Sequence, residues 1–215
     1  MSAKTPADFY FDPVSPFAFL MWKRLREDDF GLEIRPVPVL LGALLHHWGL
    51  IGPAEVPPKR AQTYRMCQWL ADRNGIALRF PATHPFRSME ALRLLIALDA
   101  RVDAVDAVLD AVFAEGRNVT DPAELERLGG ELGLSDVQHR IASADVKDTL
   151  RANTDAAIAR GAFGVPTLAI GDELFWGLDT LDMVRDYLAD PQLFQTAEMQ
   201  RLNTLDYGVP RRAGS

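Results

Sequence analysis

The stretch DFYFDPVSPFAFLMWKRLREDDFGLEIRPVPV, residues 8–39, decides the reading of the chain. Phe9, Tyr10 and Phe11 form a short aromatic run between acids and Pro13, the composition of a buried strand. Ser15-Pro16 then opens a helix. Serine is a favoured N-cap, and proline suits the first helical position because its missing N–H would have had no partner there. Leu20, Lys23-Arg24, Leu25 and Phe30 continue at roughly helical spacing, and Gly31 is the expected stop. Leu32 to Val37 alternates as a second strand. The helix of this β-α-β unit starts at the carboxyl end of the first strand, the edge of an α/β sheet where ligands bind.

Working outward, residues 41–134 read as almost purely helical. Val105, Val108, Leu109, Val112 and Phe113 repeat at i, i+3, i+4, the pattern of a core-facing stripe, and Asp121-Pro122-Ala123-Glu124 is a helix start. Gly52-Pro53, Pro57-Pro58 and the segment Pro81 to Pro85 mark loops. A helix over residues 146–159 closes at Gly161, followed by Phe163-Gly164-Val165-Pro166-Thr167 and the strand Leu168-Ala169-Ile170. Gly171-Asp172 makes a hairpin turn, Glu173 to Trp176 pairs back, and a last helix runs from Asp179 to Leu188. The order β-α-β, helices, α-β-β-α is the thioredoxin plan split by helices. The fold class expected is therefore α/β, a thioredoxin-like domain interrupted by an all-helical insertion domain. Its parts are residues 6–40 with 142–190, the insertion at 41–141, and a tail at 191–215 whose end is expected to be loosely held.

The 215 residues are 48% hydrophobic and 25% charged, with a net charge of −7, which suits a globular protein and gives a nucleic-acid backbone no basic face. The single cysteine, Cys67, excludes an internal disulfide and a cysteine-based metal site. His46-His47 are adjacent and cannot share a helix face as ligands, and no HExxH is present, so no metal is expected. The amino-terminal segment has one lysine followed by acids around a short apolar patch, unlike a signal peptide. The longest apolar run, Val37 to Leu45, is far short of the ~20 residues of a spanning helix. A cytoplasmic protein without membrane or nucleic-acid partners is expected.

Residue by residue, the chemistry stays open. Ser15 at a helix N-terminus is suited to an anion, because the first N–H groups are unpaired and the helix dipole favours negative charge; it also serves simply as a cap. Val165-Pro166 precedes a strand, and a trans bond is the default. Lys59 beside Arg60 reads first as a solvated pair. His84 reads as a loop histidine, with acid–base or ring-stacking roles open. Cys67 falls in a helical pattern and reads as packing. Trp22, Trp48 and Trp69 read as core or interface.

Taken together, these residues resemble the 2-hydroxychromene-2-carboxylate isomerases. The opening motif is Phe9-Tyr10-Phe11-Asp12-Pro13-Val14-Ser15-Pro16-Phe17-Ala18-Phe19. The closing motif is Gly161 to Thr167 with Leu174-Phe175-Trp176-Gly177-Leu178-Asp179. Kappa-class glutathione transferases and DsbA-like oxidoreductases are the wider relatives. Phe80-Pro81 and His84-Pro85 also match. The resemblance implies a cis Val165-Pro166 bond, glutathione as cofactor, an aromatic-derived acid as substrate and a homodimer. Ser15 then stands where the oxidoreductases carry the first cysteine of Cys-x-x-Cys, so residues 15–18, Ser-Pro-Phe-Ala, offer no exchanging thiol and instead hold the thiolate of a small molecule. By the same likeness Val165 and Pro166 border the cysteinyl part of glutathione. Trp176, Gly177, Leu178 and Asp179 border its γ-glutamyl end, Lys59 meets a carboxylate of glutathione or substrate, and His84 meets substrate. Two positions depart: Leu50 replaces an asparagine of the relatives, and Leu178 replaces a polar residue. The function implied is glutathione-dependent isomerisation. A kappa-like transferase and a non-catalytic peptide-binding thioredoxin-fold protein are the alternatives.

Overall fold

In a computed structural model, which describes residues 4–206 and Gly208, the chain begins with strand β1 (Thr5–Phe11), helix α1 (Pro16–Glu27) and strand β2 (Leu32–Pro38). Helices α2 (Leu41–His47), α3 (Pro57–Arg73), α4 (Met89–Ala97), α5 (Val102–Phe113), α6 (Pro122–Glu131), α7 (Val137–Ile141) and α8 (Ala144–Ala159) follow. Strands β3 (Thr167–Ile170) and β4 (Glu173–Trp176) and helices α9 (Leu181–Ala189) and α10 (Ala197–Leu202) complete it. The element order is the expected one. The first helix ends at Glu27 rather than reaching Gly31: Asp28 leaves helical geometry there while its N–H bonds Arg24.

The four strands stand in the order β2-β1-β3-β4. β1 and β2 are parallel, with Phe9 opposite Pro36, while β3 pairs antiparallel with both β1 and β4. Gly171, at φ +56, makes the β3–β4 turn, a backbone region that costs glycine nothing. β2 is an edge strand and carries Pro36 and Pro38.

Aromatic burial fixes α1 on the sheet. Phe9 stacks on Phe11 and on Trp22, each at 5.4 Å between ring centres, and all three are buried. The indole N–H of Trp22 donates to Asp106 at 2.6 Å, and Lys23 pairs with Asp110 at 2.7 Å, tying α1 to α5. The predicted stripe Val105, Val108, Leu109, Val112 and Phe113 is buried throughout. Phe113 reaches Phe19 of α1 at 5.7 Å and Phe80 at 5.7 Å, so the helical segment shares a core with the sheet side of the protein.

One unit runs to Asp179 and holds the sheet together with α1 to α8; the other begins at Thr180 and holds α9 and α10. In the second, the rings of Tyr187 and Phe194 stack at 5.5 Å. The end of the predicted tail, including Arg211-Arg212, lies outside the described residues. Among those described, no helix is long and apolar enough to cross a membrane.

Candidate active site

Ser15 follows β1 and is the N-cap of α1, with φ −92 and ψ 113 and Pro16 next in the helix. Its hydroxyl accepts from the Ala18 N–H at 3.2 Å and faces the Val165 carbonyl at 3.5 Å, so residues 150 apart in sequence meet here. Ser15 is only 7% exposed. The Val165-Pro166 bond is cis. Pro166 lies between Ser15 and the β4 end, because its carbonyl accepts from the Gly177 N–H at 2.9 Å. Trp176 is half-exposed and rests on Phe163 at 4.9 Å between ring centres. Gly177 has φ +95, and a Cβ there would lie 2.6 Å from the Asp179 carboxylate. The segment 176–179 is thus fastened to the cis-proline loop, with Asp179 exposed and Leu178 partly covered.

Two backbone donors remain open at this spot. Among the described residues, neither the Phe17 N–H in the first turn of α1 nor the Val165 N–H has an acceptor. With the Ser15 hydroxyl they form a donor set at the positive end of a helix, suited to an anion such as a thiolate or carboxylate.

The loop before Ser15 is anchored by a residue that sequence reading treated only as a flank. Asp12 is fully buried; its carboxylate accepts from the Val14 N–H at 3.0 Å and the Leu41 N–H at 2.9 Å and from the Ser88 hydroxyl. Burial pushes its carboxyl above the usual value, against the pull of those donors. The other side of Val14 is held by His84, whose Nε2 lies 2.7 Å from the Val14 carbonyl. Its Nδ1 lies 2.7 Å from the Tyr64 hydroxyl, which is also 2.8 Å from the His84 carbonyl. The ring packs among Tyr64, Phe80, Phe86 and Phe113, and the His84-Pro85 bond is cis. Burial lowers the His84 pKa, with nearby Arg60 acting in the same direction. His84, expected to face substrate, has both ring nitrogens on protein atoms.

Lys59 is exposed in the first turn of α3, and the structure brings it no described partner. Its neighbour Arg60 is the cation that acts on His84 and Tyr64, while its guanidinium donates to the Ala54 carbonyl. Trp22 is core, whereas Trp48 and Trp69 are 46% and 56% exposed. Trp69 lies on α3 and Trp48 in the turn after α2, where it donates to the Ala162 carbonyl at 3.0 Å, beside Phe163. Leu50 and Ile51 are exposed in the same loop.

Cys67 is fully buried on α3, and burial pushes its thiol up to about 12. A thiolate is the reactive form, so this group is inert at neutral pH. Cys67→Ala is expected to leave turnover unchanged, and iodoacetamide is expected to leave the native protein unlabelled by mass spectrometry. Loss of activity on alkylation would refute an inert Cys67.

A serine at the helix N-terminus beside a cis-proline, with no thiol at hand, is the geometry against which relatives can be compared. The DsbA-like thioredoxin domain family matches residues 7–189. A 2-hydroxychromene-2-carboxylate isomerase of Pseudomonas putida is 36% identical over 186 residues, covering 82% of this chain and 91% of that protein. The chain belongs to this isomerase family. A solved structure of a 2-hydroxychromene-2-carboxylate isomerase superposes with a TM-score of 0.76 at 29% identity, over 94% of this chain and 100% of that one. A kappa-class glutathione transferase of Caenorhabditis elegans is 26% identical over 205 residues, 85% of this chain and 91% of that protein. This chain has the DsbA-like thioredoxin fold, in which the sheet, α1 and the cis-proline loop meet at Ser15.

Proposed function

We propose that this chain is a glutathione-dependent isomerase acting on a small aromatic-derived acid that contains a conjugated double bond. The observation that carries the reading is the Ser15 hydroxyl at the N-terminus of α1, with the open N–H groups of Phe17 and Val165 around it. These residues fit a thiolate: the hydroxyl and helix end are donors, and the chain's own sulfur is buried elsewhere.

Glutathione, when bound, supplies a nucleophilic sulfur that adds reversibly to the conjugated system, so that the former double bond turns before the sulfur leaves. Ser15 holds the sulfur as an anion by donating its O–H, and the α1 terminus lowers the thiol pKa by the same electrostatics. Val165, beside Pro166, offers its backbone N–H and carbonyl to a peptide-like cysteinyl unit. Trp176, Gly177 and Leu178 border the γ-glutamyl end, and the Asp179 carboxylate meets its ammonium. Lys59 on α3 attracts a carboxylate of glutathione or substrate. Half-exposed Phe163 and Trp176 offer ring faces to an aromatic acid. The protein's share is orientation and charge stabilisation rather than bond-making.

Calorimetric titration with reduced glutathione tests the reading. Saturable binding in wild type, weakened in Ser15→Ala, is expected; no heat and no thermal shift at millimolar glutathione would overturn it. The kappa-class likeness favours one second reading, a transferase that releases a conjugate. Product mass separates the two, since isomerisation leaves the substrate mass unchanged.

A further inference from the structure

Val14 is the residue directly before Ser15, and both of its backbone polar groups are gripped by ionisable side chains, Asp12 on the N–H and His84 on the carbonyl. A carbonyl oxygen carries no proton, so the 2.7 Å contact requires the hydrogen on His84 Nε2. Nδ1 lies 2.7 Å from the Tyr64 hydroxyl, which has a single proton and is also 2.8 Å from the His84 carbonyl, so Tyr64 clasps the ring and the backbone of His84 together. Four aromatic rings surround the imidazole, with centres 5.2 to 6.0 Å away, and restrict it to this orientation. Neither ring nitrogen retains a free proton or lone pair for substrate.

We propose that His84 is a positioning residue: its Nε2–H, with Nδ1 held against Tyr64, grips the Val14 carbonyl and thereby aims the Ser15 hydroxyl. The role rests on the reading of Ser15 as the group that holds the thiolate, and it excludes proton transfer to or from substrate by His84. Asp12 completes the grip from the opposite side of the same residue. The loop after β1 and the loop before α4, the latter braced by Tyr64 of α3, thus hold Val14 from both of its peptide bonds, next to Ser15.

Two experiments test this. The first is a long-range proton–nitrogen correlation spectrum of the histidine rings in the full, nitrogen-15-labelled chain at neutral pH. His84 is expected to carry a proton on Nε2; a ring protonated on Nδ1 alone would overturn the proposal. This measurement needs neither thiol nor substrate, so it decides the role of His84 even should the wild-type protein show no turnover with glutathione. The second compares His84→Gln with His84→Leu in glutathione-dependent turnover of 2-hydroxychromene-2-carboxylate. Glutamine places an N–H donor in the region of Nε2, and leucine places none. The leucine variant is expected to lose about tenfold in kcat, the worth of one buried hydrogen bond, with the KM for substrate unchanged. The glutamine variant is expected to recover most of that loss. A glutamine variant as inactive as the leucine one, while folded, would assign the ring to acid–base chemistry and overturn the proposal.

Discussion

Ser15→Ala is expected to lower kcat by about 10²- to 10³-fold, the range for removing one donor aimed at a charged reacting group. The mutation takes away the only side-chain hydroxyl at the α1 terminus and leaves the Phe17 and Val165 N–H groups in place, so weak residual glutathione binding should persist. The fold should survive. Ser15 caps α1 through the Ala18 N–H, and loss of such a cap costs about 1 kcal/mol. The contrast is the diagnostic: a large kinetic effect beside a small shift in thermal midpoint. Steady-state kinetics and differential scanning calorimetry on the same preparation measure both, and a folded variant with wild-type turnover would remove Ser15 from the chemistry.

The second large effect concerns stability. Asp12→Ala is expected to cost roughly 2 to 5 kcal/mol, because it strands the partly buried Val14 and Leu41 N–H groups and the buried Ser88 hydroxyl without their acceptor. The effect has a pH dependence of defined sign. Burial raises the Asp12 carboxyl above 3.8, so in the acid range the native state binds a proton more tightly than the unfolded chain does. Asp12 ionisation therefore erodes wild-type stability as pH rises from about the unfolded pKa through the higher native one. The stability gap between wild type and Asp12→Ala should narrow across that interval and stay constant above it. Urea unfolding at a series of pH values measures the gap; a gap that widens with pH would contradict a raised carboxyl.

The fold was legible because its signals are local. The aromatic run at Phe9 to Phe11, the Ser15-Pro16 start, the apolar stripe of α5 and the Gly171 turn each declare an element within a few residues. The meeting of Ser15 with Val165 was legible only through resemblance, since nothing in either segment alone points to the other. The support beneath the site was not legible at all. Asp12 read as a polar flank because its burial depends on Leu41 and Ser88, which come from other parts of the chain. His84 read as a loop histidine because Tyr64 lies twenty positions earlier and Val14 seventy.

The prolines of β2 have a consequence for self-association. The Val39 N–H bonds the Phe11 carbonyl and the Gly31 carbonyl accepts from Thr5, so odd-numbered residues along this strand turn their polar groups toward β1. Strand periodicity then turns the even-numbered ones outward, and Pro36 and Pro38 are among them. That flank of the sheet therefore lacks donors at two successive outward positions, one of which, Pro38, is also buried. A strand from another copy arriving there finds acceptors without their complementary donors and cannot zip onto the sheet, which protects a crowded protein from growing edge to edge into aggregates.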